Sequence, residues 1–321
     1  MEKIAMILGD GGVKAGFIAG AADAILNNLP NPEDIIKVMV GTSASSGNVI
    51  YYLSYGENHP GEKMWTTILA DKRFINFDGL KDIYSARPLY DLDFMIEQIF
   101  KVENPIDPQV INSHKIKFVI PVLEKSASTA TYFTNDSKLL EKYEEKGIQL
   151  KSSIHLDLYE LIKASSAAPL IYDRTVGLDG KEYLDAAAIE PLPLDLPGVS
   201  HLKKVIILTK GKIGITKKLK YVLTALLFIL LVYPFKRQKL PLKHYIQYAK
   251  KPFLLNKKIK IALKEEKRGN AVVIYPKEKI GGITDNDETT LKRTYEMGVE
   301  AAKIRLNDII KLSPIIQKSE K

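Results

Sequence analysis

The 321-residue chain contains no cysteine. That absence excludes disulfides, thiolate nucleophiles and cysteine-ligated metals together, and it fits a reducing compartment. Histidine is scarce: His59, His114, His155, His201 and His244 are scattered, and none lies in a turn that looks made for catalysis. Nothing in the sequence therefore supports a Ser-His-Asp triad, and no metal or organic cofactor is implied. A long apolar run is missing too. The most hydrophobic stretch, Tyr221 to Phe235, has fifteen residues and ends at a proline, whereas a bilayer span usually needs about 20. The first ten residues, Met1 to Asp10, lack the basic flank, apolar stretch and small-residue cleavage site of a signal peptide. The expectation is a cytoplasmic protein.

What is present is ordinary globular composition, 45% hydrophobic and 26% charged, with enough apolar material for a sizeable core. The charge is unevenly placed. Residues 201–268 hold nineteen Lys or Arg against two acids, Glu265 and Glu266, so this stretch carries +17 of a net +9 and the remainder is −8. Such asymmetry points to a local anionic partner. Nucleic acid is disfavoured, because the basic residues flank a Leu-Leu-Phe-Ile-Leu-Leu-Val core. An anionic membrane surface suits Lys217, Lys218, Lys220, Lys236, Arg237 and Lys239 around aromatics such as Phe228. Three readings of 221–235 stay open: a buried cap over a site, a segment dipping into a membrane interface, and a true span.

The hydrophobic pattern predicts strands over Ile4–Leu8 and Ile35–Val40, each followed by a turn and an apolar helix, Phe17–Leu29 and then Ser43 through Leu53. Further strands are expected over Lys115–Leu123, Ala130–Thr134, Lys181–Leu184, Val205–Thr209 and Ala271–Tyr275, with helices over Asp157–Ala164 and Asp287–Ile310. A β-turn-α-β-turn-α beginning argues for an α/β fold with a mostly parallel central sheet. The expected organisation is a core over 1–200, a basic, apolar cap or membrane-contacting segment over 201–268, and a return to the core over 269–321.

The glycine turn after the first strand, Gly9-Asp10-Gly11-Gly12-Val13-Lys14-Ala15, fails both nucleotide fingerprints. Lys14 stands where the dinucleotide pattern needs its last glycine, and Ala15 follows it where the phosphate loop needs Ser or Thr. Consecutive backbone N–H groups at a helix start can also cradle an anion, and in acyl transfer that cradle is an oxyanion hole. Gly41-Thr42-Ser43-Ala44-Ser45 lies between a strand and a helix, the setting of a nucleophile elbow, which needs small residues two positions either side of the nucleophile. Ser43 follows the strand directly and is the preferred nucleophile, with Ser45 fitting at some strain. A shifted register would make Ser45 the nucleophile. Asp185 follows a short strand and precedes three alanines and Pro191-Leu192-Pro193.

In order and spacing these segments, together with Ala164-Ser165-Ser166-Ala167-Ala168-Pro169, resemble the patatin-like phospholipase family, whose members cleave acyl esters with a Ser–Asp dyad. The resemblance implies a three-layer α/β/α fold and assigns Ser43 as nucleophile and Asp185 as base. It places the backbone N–H groups of Gly11, Gly12, Val13 and Ala44 in the oxyanion hole, with Lys14 and Gly41 supporting the site. The implied reaction is hydrolysis of an acyl lipid or phospholipid, peripherally at the inner face of the membrane. Departures from the family pattern at Asp10, Ala15, Ser45 and Ala186 motivate an alternative, an inactive lipid-binding scaffold; a thioesterase or acyltransferase would use the same dyad. Asp10 in particular would set a carboxylate beside the oxyanion hole unless it turns away or pairs with Lys14. Oligomeric state is not legible.

Overall fold

A computed structural model describes residues 3–56, 59–75, 88–144, 148–172, 174–231, 233, 240–282 and 284–313. Nine strands form one sheet: β1 (Ile4–Leu8), β2 (Ile36–Gly41), β3 (Lys117–Glu124), β4 (Thr131–Thr134), β5 (Leu150–Ser152), β6 (Val176–Leu178), β7 (Lys181–Asp185), β8 (Lys203–Ile207) and β9 (Ala271–Ile274). The order runs β5-β4-β3-β2-β1-β8-β9, with β7 also pairing β3 and β6 pairing β7. The central five, β3-β2-β1-β8-β9, are mutually parallel. β4 and β7 run antiparallel to β3.

Parallel strands are buried on both faces and read as continuous apolar runs. β1, Ile-Ala-Met-Ile-Leu, is buried throughout. Its alternate residues feed opposite sides: Ile4, Met6 and Leu8 join one core, Ala5 and Ile7 another. Six helices matter for the site: α1 (Ala15–Leu26), α2 (Ser45–Tyr55), α3 (Leu158–Ser166), α4 (Ile215–Leu231), α5 (Leu242–Lys267) and α6 (Glu288–Leu312). α1, α2, α3 and α6 cover the first core. The C-terminal half of α5, through Leu255, Ile259 and Ala262, packs with Leu192, Leu194 and Leu196 on the other. The architecture is therefore the three-layer α/β/α arrangement expected from the sequence.

Local signals fix the helix starts. The side chains of Asp157 and Asp287 accept hydrogen bonds from the first-turn N–H groups of α3 and α6. α1 and α6 approach so closely that a Cβ at Gly298 would sit 2.0 Å from the Phe17 carbonyl oxygen. Within the 201–268 segment, β8 pairs with β1 in the central sheet, while α4 and the first half of α5 lie over the C-terminal ends of the strands.

Among the described residues, no helix is long and apolar enough to cross a membrane. α4 instead has two faces. Ala225 is buried and Phe228 is half-buried, whereas Ile215, Leu219, Leu223 and Leu230 are each more than half exposed.

Candidate active site

β1 sits where the chain order reverses, with β2 on one side and β8 on the other. In open parallel sheets, ligands bind outside the carboxyl ends of the strands at such a point. Three turns meet there: Gly9 to Lys14 after β1, Thr42 to Ala44 after β2, and Thr209-Lys210 after β8. They are tied together by backbone bonds. Gly9 N–H donates to the Ile207 carbonyl at 3.0 Å and Thr42 N–H to the Leu8 carbonyl at 3.1 Å.

Ser43 occupies the left-handed region, with φ 60°. A non-glycine residue held there costs of order 1–3 kcal/mol and persists only where its surroundings enforce it. Those surroundings are visible. The Ser43 N–H donates to Ser165 Oγ at 3.1 Å, and the Ser165 hydroxyl donates onward to the Pro121 carbonyl at 3.3 Å. The Ser43 carbonyl accepts from the Ser46 hydroxyl at 2.7 Å. Gly41 is required by close approach, since a Cβ there would lie 2.6 Å from the Ser45 carbonyl oxygen. Ser165, from the Ala164–Pro169 segment, thus pins the backbone of the Ser43 turn.

Ser45 differs from the expectation of a strained fit. It is the first residue of α2, fully buried, and its hydroxyl donates to the Gly9 carbonyl at 2.7 Å. That bond ties the β1 turn to the β2 turn and turns the Ser45 oxygen away from any ligand. Ala15 likewise lies in ordinary helical backbone, φ −65°, so glycine is not needed there.

Asp185 ends β7, which pairs with β3 and is held at its C-terminus by a bond from Asp185 N–H to the Ala167 carbonyl, 3.1 Å. The carboxylate is 1% exposed, and its Oδ1 accepts from the Ala187 N–H at 2.7 Å. Burial pushes its pKa up to about 6, opposed by Lys251, the Ala187 N–H and the Ser43 hydroxyl. The Ser43–Asp185 contact is looser than a full hydrogen bond, because Oδ2 makes none with the described residues.

Gly12 lies at φ 55°, the left-handed turn that starts the short helix Gly12–Lys14. Among the described residues, the N–H groups of Gly11, Gly12 and Ala44 have no acceptor. The Val13 N–H is already engaged by the Tyr90 hydroxyl. Tyr90 is held by its ring against Phe74, centroids 5.0 Å apart.

Asp10 does not pair with Lys14. It bonds Lys251 of α5, Nζ to Oδ2 2.6 Å, both side chains at most 12% exposed. Burial alone would raise the Asp10 pKa, but Lys251 and Lys210 hold the carboxyl below its ordinary value. Burial likewise works against the Lys251 cation, yet Asp10, Tyr248 and Asp185 hold its pKa above the ordinary lysine value. Nothing in the sequence singles out Lys251 among the basic residues of its segment. The available signal was Asp10 itself, since a buried carboxylate beside an anion cradle needs a cation.

Ser43, Asp185, the glycine turn and Ala44 all line one cavity of about 540 Å³. Its walls are mostly apolar, including Trp65, Leu69, Phe74, Met95, Phe100 and Ile162, and it is roofed by Tyr221, Ala225 and Phe228 of α4 with Tyr248 and Pro252 of α5. A cavity of this size and character suits an acyl chain. No histidine lines it. His59 pairs with Asp23 at 2.9 Å, and the His244 ring nitrogens contact the Lys125 carbonyl and Gln247. Among the described residues, no group of acidic or histidine side chains is arranged to hold a metal ion.

Of the residues expected at a lipid surface, Lys217 and Lys220 are exposed and Lys218 is half-buried, its ammonium 5.5 Å from the Phe253 ring centroid. Phe228 turns inward, lining the cavity and stacking on Tyr245 at 5.6 Å. The exposed apolar face of α4 is carried by other residues, Leu223 and Leu230 among them. Lys236, Arg237 and Lys239 lie outside the described residues.

A family model described as patatin-like phospholipase matches residues 6–197. No curated protein matches. Ten chains of solved structures match. One is from the complex of full-length SpcU with full-length ExoU, from the type III secretion system of Pseudomonas aeruginosa. It is 11% identical over 99% of this chain, with a TM-score of 0.32. The match spans 60% of that chain's length. The family match takes in both the Ser43 and the Asp185 turns and well over half of the residues, and the chain belongs to the patatin-like phospholipase family, a family of lipid hydrolases.

Proposed function

We propose that this chain hydrolyses acyl esters of lipids with a Ser43–Asp185 dyad. The observation that carries the reading is a serine held in left-handed backbone against a buried carboxylate, both opening into a mostly apolar cavity at the switch point of the sheet. Asp185 accepts the Ser43 proton as Oγ bonds to the ester carbonyl carbon. The tetrahedral oxyanion is held by the N–H groups of Gly11, Gly12 and Ala44, while Val13 keeps Tyr90 against the turn. On collapse the ester C–O bond breaks and Asp185 returns its proton to the leaving alcohol. Water then attacks the acyl-enzyme, giving its proton to Asp185, and the fatty acid leaves as Ser43 is reprotonated.

Three of the four departures that favoured an inactive scaffold have local explanations. Asp10 is neutralised by Lys251, Ser45 bonds Gly9, and Ala15 sits in helical backbone. In this reading the core takes in β8 and the C-terminal half of α5 as well as residues 1–200, the cap is α4 with the start of α5, and residues 269–321 complete the core. The outer face of α4, apolar with Lys217 and Lys220 along it, docks on an anionic membrane surface from the cytoplasmic side, and its inner face roofs the acyl cavity. The test is hydrolysis of a mixed lipid panel by wild type and Ser43→Ala, with and without anionic vesicles. Release of fatty acid by wild type alone supports the reading; no release from any acyl ester, or equal release by Ser43→Ala, contradicts it.

A further inference from the structure

One side chain reaches the glycine turn from a part of the chain that the dyad does not use. Tyr90 stands just before the short helix Leu92–Phe94 and lines the same cavity as Ser43, Gly11, Gly12 and Ala44. Its hydroxyl engages the Val13 N–H. It also stands over the open side of Gly12, where a Cβ would lie 3.4 Å from the phenolic oxygen. That oxygen therefore sits beside the stretch of backbone whose N–H groups, at Gly11 and Gly12, have no acceptor among the described residues.

We propose that Tyr90 is a catalytic residue: its hydroxyl donates a hydrogen bond to the oxyanion formed when Ser43 adds to the ester, in place of the Val13 N–H. This inference rests on the hydrolase reading and adds a side chain to its site. The Val13 N–H is one of the expected oxyanion donors, but its bond goes to the tyrosine oxygen. A hydroxyl that accepts one hydrogen bond still carries its own proton to donate. Accepting from an N–H polarises that O–H and makes it the better donor. The tyrosine thus passes the pull of the Val13 N–H on to the substrate oxygen, and its proton stays on the phenol throughout. Side-chain hydroxyls serve in oxyanion holes alongside backbone N–H groups.

Such a donor is effective only if it is held in place before the charge develops. Tyr90 is 4% exposed. Its N–H donates to the Ile171 carbonyl at 3.1 Å, and the next N–H, of Asp91, to the Phe74 carbonyl at 2.8 Å. An isolated antiparallel bridge pairs Tyr90 with Ile75. The Asp91 side chain caps the helix that follows, accepting from the Phe94 N–H at 2.9 Å. With its ring against Phe74, the tyrosine is fixed at both backbone and side chain. The phenol also keeps its proton: burial, Tyr248 and Asp285 raise its pKa above the ordinary value, against the Val13 N–H. A neutral phenol bonds an oxyanion more strongly than a neutral ester carbonyl, so the contact favours the transition state over the bound ester.

Tyr90→Phe removes the hydroxyl alone and releases the Val13 N–H. On a soluble short-chain ester its kcat should fall at least about tenfold with KM changed by less than about twofold, the mark of a contact made only in the transition state. Binding separates a donor from a wall residue. A trifluoromethyl ketone bearing the same acyl chain adds reversibly to a nucleophilic serine and gains an oxyanion, whereas the matching trifluoromethyl carbinol cannot. Tyr90→Phe should weaken the ketone about tenfold and leave the carbinol unchanged, in protein shown by its unfolding midpoint to be folded. An unchanged or raised kcat overturns the proposal, because the tyrosine would then only withhold the Val13 N–H. Equal weakening of ketone and carbinol overturns it as well, since the ring would only shape the cavity. A wild type that neither cleaves the ester nor prefers the ketone to the carbinol overturns the hydrolase reading and the tyrosine's role together. An active wild type matched by Tyr90→Phe overturns the tyrosine's role alone.

Discussion

Lys251, on the cap helix α5, reaches across the cavity to Asp10 in the glycine turn and bonds it at 2.6 Å with both side chains buried. One ion pair thereby joins α5 to the turn proposed to carry the oxyanion donors. Removing one partner of a buried pair leaves an uncompensated charge and costs about 3–5 kcal/mol. Lys251→Met should therefore lower the unfolding midpoint markedly. Asp10→Gly combined with Lys251→Met should recover most of the loss, because no charge is left behind. Additive losses in the double variant, measured by denaturant unfolding, would show that the pair is not coupled.

As the proposed base, Asp185 should set the acid limb of activity. Its folded pKa of about 6 lies above the ordinary carboxylate value, so protonation disables the base below that pH. The kcat/KM on a soluble ester should be flat above pH 6 and fall about tenfold per pH unit below it. Lys251 favours the ionised carboxylate, so in Lys251→Met the limb should move to higher pH.

Asp185→Asn should cost at least about 100-fold in turnover, as for a positioned general base. Its effect on stability runs the other way. A raised folded pKa means that the folded state binds the proton more tightly than the unfolded chain, so the ionised group weighs against folding above pH 6 and this burden is relieved as pH falls from 6 towards 4. The uncharged Asn should make the fold more stable at neutral pH, and the gain should shrink in acid. A variant less stable than wild type at pH 7 would argue against a strained, buried carboxylate.

Membrane docking through the outer face of α4 predicts reversible binding to anionic vesicles and weak binding to neutral ones. Added salt should weaken it, since screening limits the reach of each charge to about 8 Å at physiological ionic strength. Replacing Lys217, Lys218, Lys220, Lys236, Arg237 and Lys239 with Gln should reduce co-sedimentation far more than cleavage of a soluble ester. Leu223→Gln with Leu230→Gln should also weaken binding, because these exposed side chains supply apolar contact. Salt-independent binding to both vesicle types would leave α4 as a cap alone.

Much of the frame was legible because it is local. The buried strands announce themselves as unbroken apolar runs, and the strand ends expected at Leu8, Val40 and Leu184 fall within a residue of those observed. The tight turn at Ser43 was legible because an elbow needs small neighbours, and Gly41 proves to have no room for a side chain. What was hidden depends on contacts distant in sequence. Lys251 lies 241 positions from Asp10, and Ser165 holds Ser43 across 122. Phe228 was misplaced outward because composition alone does not say which face of an amphipathic cap meets the cavity. Ser45 looked like a strained substitute for glycine, whereas its hydroxyl is the link between two turns. Ser45→Ala should accordingly cost about 1 kcal/mol of stability and keep at least a tenth of the activity.

The most direct measurement is labelling with a serine-directed fluorophosphonate, followed by mass mapping of the modified peptide. The account predicts one adduct, on Ser43, absent in Ser43→Ala, strongly slowed in Asp185→Asn and retained in Ser45→Ala. An adduct on Ser45 or another serine, or no adduct on a folded wild-type protein, would contradict it.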